Sequence, residues 1–188
     1  MESSTPTRRA WLRSAITVSL AGAAATAARP VLGAENGGTY GISAHPHFDR
    51  VMAPWAVKRF VDKNAKFFFA LKIEELPADA IPMGFPTGEL SMHDAGGTCF
   101  HKTVVKYQIN DPAVHAMDKM NAQGVEWFLH KTPIDMNDRY ARWGFGLLGI
   151  SDAFLRKAKS DQEVLDLGFP IYDALYEQIT FELQKQPT

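Results

Sequence analysis

The 188-residue chain has a single cysteine, Cys99, so it cannot close an internal disulfide. With no second thiol it also lacks the cysteine pair of a c-type haem attachment and the ligand set of an iron–sulfur cluster. No glycine-rich loop of the phosphate-cradling kind is present. Charge of one sign is equally scarce: 20 Lys+Arg against 21 Asp+Glu leave a net charge of −1. A basic face for nucleic acid or an anionic membrane is therefore not expected. The longest uncharged run, residues 14–28, falls short of the about 20 apolar residues that a membrane span needs.

What that run does have is a setting. It follows Thr7-Arg8-Arg9 and Trp11-Leu12-Arg13 and ends in small residues, Ala25-Thr26-Ala27 and then Gly33-Ala34. A charged n-region, an apolar stretch and a small-residue end make an export signal. The paired arginines ahead of an aromatic and a leucine resemble the twin-arginine type. Residues 1–34 are accordingly read as a signal cleaved after Ala27 or Ala34, and residues 35–188 as a single domain in the periplasm. Removal of the signal takes Arg8, Arg9, Arg13 and Arg29 but only Glu2, which leaves a mildly acidic remainder with no membrane span. Folded-cargo export also allows an accessory role beside a periplasmic redox enzyme.

Patterning in the remainder alternates between two periods. Residues 39–44, 67–73, 99–109 and 143–150 read as strands, with a short piece near 89–92. Residues 54–64, 151–157 and 160–184 read as helices, the last opened by Ser160-x-x-Glu163 and interrupted by Pro170. Asn110-Asp111-Pro112 opens another helix that should stop at Gly124. Residues 125–130 fit either a strand or a further helical turn. Helices segregated between paired strands predict a two-layer α+β sandwich.

Three groups of residues have side chains suited to chemistry. His45, His47 and Asp49 recur every second residue, and in an extended loop they would face one way as ligands of a divalent transition metal. His93 or His101 would have to complete such a site. On a strand over 99–109, period two puts Cys99, His101 and Thr103 on one face and Lys102 on the other. That strand is either a solvated polar face or the wall of a site, where Lys102 holds an oxygen and His101 moves a proton. His115, early in the following helix, is either a proton-transfer group or a surface histidine. Cys99 would need a lowered pKa to act as a nucleophile.

Phe100 to Lys106, F-H-K-T-V-V-K, and Asp111 to Ala116, D-P-A-V-H-A, resemble the formaldehyde-activating enzyme family, which has F-x-K-V-T-I-K on a strand and G-P-A-Q-H at a helix start. The resemblance spans roughly residues 38–184. It implies a ribosomal-protein S5 domain 2-like fold, with helices on one face of a mixed or antiparallel sheet. It also implies a lyase-type condensation of formaldehyde with a tetrahydropterin, in a homo-oligomer whose sites lie between subunits. By position Lys102 would contact that cofactor, with Thr103 and Tyr40 as neighbouring ligand contacts. His45, His101 or His115 would stand in for the family's catalytic histidine. The expected ligand is a small aldehyde, one-carbon or pterin-like molecule.

Overall fold

The computed structural model describes residues 37–185. The expected export signal lies outside them. Among the described residues no helix is long and apolar enough to cross a membrane.

Three short strands, β1 (Thr39–Ser43), β2 (Lys66–Ala70) and β3 (Ile81–Met83), form one sheet in the order β2-β1-β3. Tyr40 pairs with Phe67 on one side and Ile81 on the other, and both pairings are parallel. Five helices complete the fold: α1 (Asp49–Ala56), α2 (Cys99–Lys106), α3 (Pro112–His130), α4 (Arg139–Lys157) and α5 (Asp161–Gln184). The class is α+β, as expected. The sheet, however, is parallel throughout rather than mixed or antiparallel. The reason lies in the connections: β1 leads into a helix instead of a hairpin, and a chain that returns over the sheet arrives in the same direction.

Helix α1 is the centre of the core. Asp49 and residues 51–56 are all buried, and a helix covered on every side belongs in an interior rather than on a surface. Trp55 holds four aromatic neighbours around it, Phe60, Phe100, Tyr172 and Tyr176, with ring centroids 5.7–6.5 Å away. Its indole N–H donates to Asp173 at 3.0 Å. The helix starts five residues before Pro54, not at it. Beyond Ala56 it widens into a π turn, Val57–Val61, closed by the Asp62 N–H donating to the Val57 carbonyl.

Two expected strands are helices. Residues 99–106 form α2, because Cys99, Phe100, Thr103 and Val104 are buried together. That spacing of one, three and one residues is one face of a helix and cannot be one face of a strand. Its first turn is secured from outside by the Asp49 carboxylate, which accepts from the Cys99 and Phe100 N–H groups at 3.0 and 2.9 Å. Thr98 caps it through a bond from the His101 N–H. Residues 143–150 likewise lie inside α4, which buries Ala141, Gly144, Leu147, Leu148 and Ser151 along one stripe.

Helix α3 begins where expected: the Asp111 carboxylate accepts from the Ala113 and Val114 N–H groups, with Pro112 at the first helical position. It does not stop at Gly124, and residues 125–130 are its continuation. Gly124 is there for closeness rather than for a turn. A Cβ on it would lie 2.7 Å from the Phe48 ring, and one on Gly144 would lie 2.6 Å from the Met120 carbonyl oxygen. These two glycines let α3 and α4 cross backbone to backbone. The helix ends instead at Lys131, in the left-handed region at φ 55°. Ser160 caps α5 as expected, its hydroxyl accepting from the Glu163 N–H, and α5 runs unbroken through Pro170.

Candidate functional site

The sequence-derived candidates fall into two groups once folded: those committed to holding the fold, and those lining open space. Asp49, expected as a metal ligand, is the helix-securing acceptor described above and also accepts from Asn121 Nδ2 at 2.8 Å. Every oxygen of that carboxylate is occupied, deep in the core. His45, at φ 55°, projects into solvent and sits 3.7 Å from Asp161. His47 lies inward, 3.0 Å from Asp152 and 5.2 Å from the Phe128 ring centroid. The loop turns between these residues instead of extending, so the three do not converge on a metal. Burial lowers the His47 pKa despite the opposing pull of Asp152, so its ring is neutral at neutral pH.

Lys102 is not an anchor for a ligand. Its Nζ is held by Asp94 Oδ2 at 2.7 Å, Ser91 Oγ at 2.8 Å and the Met92 carbonyl at 2.9 Å, which ties the 91–94 loop onto α2. Thr103 is buried and donates to the Cys99 carbonyl at 2.8 Å. Tyr40 is buried beside Phe67 in the sheet, and burial raises its pKa. Cys99 is fully buried with its pKa pushed well up by desolvation, the reverse of what a thiolate nucleophile needs. His115 lies near the start of α3 beside Asn110, at 3.5 Å. Lys102, Thr103, Tyr40, Cys99 and His115 line none of the three cavities described next.

His101 does face one. Its Nδ1–H donates to Asp118 Oδ2 at 2.7 Å, and the ring is 44% exposed toward a cleft of about 380 Å³. The other Asp118 oxygen is buried without a hydrogen-bond partner. Across that cleft stands His93, which also borders an open cleft of about 630 Å³ with Asp94, Glu126 and His130, and an apolar cavity of about 140 Å³ with His47, Phe128 and Leu148. His93 is thus the shared wall of all three spaces. It reaches Glu126 Oε1 at 3.1 Å through Nε2, while its Nδ1 is buried and has no hydrogen-bond partner. The His130 ring lies 6.4 Å from it, centroid to centroid.

Sequence reasoning reached His93 and His101 as completing residues but did not pair them with α3. Glu126 and His130 are one helical turn apart, which was visible only by continuing α3 past Gly124. The C-terminal turn of α3, the loop before α2 and the N-terminal half of α2 are what build this surface.

A family model described as ChrB, C-terminal domain, matches residues 42–179, well over half of the chain. The chain belongs to that family. No curated protein and no solved structure matches it. Membership in the ChrB C-terminal domain family overturns the resemblance to formaldehyde-activating enzyme, and with it the aldehyde- or pterin-handling lyase reading. The fold agrees with the correction. The segment that carried the resemblance is a helix in this ChrB-type domain, not a strand, and its Lys102 serves the neighbouring loop. The alternative built on His45, His47 and Asp49 fails for the geometric reason given above.

Proposed function

We propose that this ChrB-type domain serves resistance to chromate, and that it does so from the cleft walled by His93. The observation that carries the reading is the extent of the family match, which runs from β1 to the last turns of α5 and so takes in every element that builds the cleft. The chemistry of the cleft of about 630 Å³, where His93, Asp94, Glu126 and His130 meet, favours a role other than capture of the oxyanion. Lys102 is committed to Asp94, and Arg50 to Ser43 Oγ and the Ala44 carbonyl, both at 3.2 Å, while the exposed Lys119 lines the separate cleft of about 380 Å³. Imidazoles and carboxylates face the open space instead. Export to the periplasm, read in residues 1–34, belongs to the same proposal.

The test is growth of a chromate-sensitive host across a chromate series, with the intact chain, with His93→Ala and with an empty vector. The intact chain is expected to raise the tolerated concentration, and His93→Ala to lose most of that gain at equal protein level. Equal growth of intact-chain and empty-vector cells overturns the reading. Fractionation of the same cells, with Arg8→Lys and Arg9→Lys combined, is expected to move the protein from periplasm to cytoplasm.

A further inference from the structure

We propose that His93, Glu126 and His130 form a binding site for a borderline divalent transition ion, of the Zn²⁺ or Fe²⁺ class. One ligand atom from each of the three lies within 4.8 Å of each of the others, which is the spacing of donors around a single ion. Two imidazoles and one carboxylate are the donor set such ions take when coordination positions are left open. The opening is there, since the three residues line the cleft of about 630 Å³.

The placement follows from the fold. Glu126 and His130 are one turn apart at the C-terminal end of α3, so both project from the same side of the helix. The partial negative charge of that helix end favours a cation. His93 comes from the loop between β3 and α2, which Lys102 fixes in place through Ser91, Met92 and Asp94. Two ligands thus stand on a rigid helix and the third on a braced loop.

A simple ion pair between His93 and Glu126 is the competing account, and it leaves something over. It engages only His93 Nε2 and Glu126 Oε1. It also gives no role to His130, whose exposed ring sits beside the pair. Lys131, next along the chain from His130, is turned back onto the Phe128 carbonyl at 2.9 Å and over the Trp127 and Phe128 rings. An ion would use all three side chains at once. It would also staple the loop to α3, across the gap that separates α2 from the end of that helix.

This inference stands apart from the chromate reading, because its readout is binding of the metal itself. The full chain, stripped with chelator, is titrated with Zn²⁺ and separately with Co²⁺, whose visible absorption reports ligand geometry. One equivalent is expected to bind, with a rise in thermal midpoint and Co²⁺ bands of a low-coordinate nitrogen–oxygen site. His130→Ala and Glu126→Gln change exposed or half-exposed side chains and should leave the fold intact by far-UV circular dichroism. Each is expected to weaken Zn²⁺ binding about 100-fold, and His115→Ala to leave it unchanged. Absence of stoichiometric binding, or binding indifferent to both His130→Ala and Glu126→Gln, overturns the site. Stoichiometric Zn²⁺ binding by an intact chain that gives no chromate protection would count against the chromate reading alone.

Discussion

The surroundings of the start of α2 and the C-terminal turn of α3 each gather charged and polar side chains, yet the fold treats them in opposite ways. Around α2, Asp49, Lys102 and Thr103 each find partners within the protein: a helix terminus, a loop and a carbonyl. At the end of α3, Glu126 and His130 meet His93 beside an open cleft, with the His130 ring exposed. The lesson concerns how a site is recognised. A polar residue whose bonding is complete is holding structure, whereas incomplete bonding beside open space is what a ligand would complete. The contrast can be broken experimentally, starting where the fold depends on it most.

Asp49→Ala should have the largest effect. It removes the acceptor of the Cys99 and Phe100 N–H groups and of Asn121 Nδ2, all in the interior. Three buried donors, two at a helix start, lose a charged partner at once. Urea unfolding should show a loss of about 3–5 kcal/mol. A loss under about 1 kcal/mol would mean that Asp49 is not what holds α2, and that the committed region is less committed than its geometry says.

The crossing of α3 with α4 comes next, because it sets where the end of α3 stands. Gly144→Ala puts a methyl group 2.6 Å from the Met120 backbone oxygen, which cannot rotate aside. Gly146→Ala, two residues on, meets nothing within 4 Å. The first should destabilise by about 1–3 kcal/mol through overpacking. The second should be neutral or stabilise by up to about 1 kcal/mol through better helix propensity. Thermal unfolding of the pair compares them directly. Equal effects would show that the helices do not depend on close approach at Gly144.

How much of this was legible in the sequence depends on range. Local signals held: Asp111-Pro112 and Ser160 do start helices, residues 39–44 contain β1, and residues 67–73 overlap β2. Segment 99–109 failed because its bulky and polar residues can be sorted at period two or at period 3.6. What decides between them is Asp49, fifty residues away, bonding the first turn of α2. Segment 143–150 failed in the same way, its glycines serving a helix crossing instead of a strand. The H-x-H-x-D spacing promised convergence only for an extended chain. The positive φ of His45 and Phe48 folds that loop, so the three side chains leave in different directions. The cluster at His93 joins a loop to a helix end thirty-three residues further on. No local window contains it.

The smallest effect separates two histidines that border the same apolar cavity, His47 and His93. His47 has a partner in Asp152, but burial outweighs it and its pKa is lowered from the ordinary value of 6.5. Its folded-state pKa therefore lies below its unfolded-state value. Above pH about 6.5 both states are neutral and the group contributes no pH dependence. As pH falls below that, the unfolded chain takes up the proton first, and stability is lost down to the folded pKa. Unfolding free energies of the parent chain and His47→Gln, measured near pH 7.5 and near pH 5.5, isolate this contribution, since the other five histidines are common to both. The parent should lose more stability on acidification than His47→Gln does. The opposite order would mean that the Asp152 carboxylate wins over burial, and that His47 is held charged rather than neutral against Phe128.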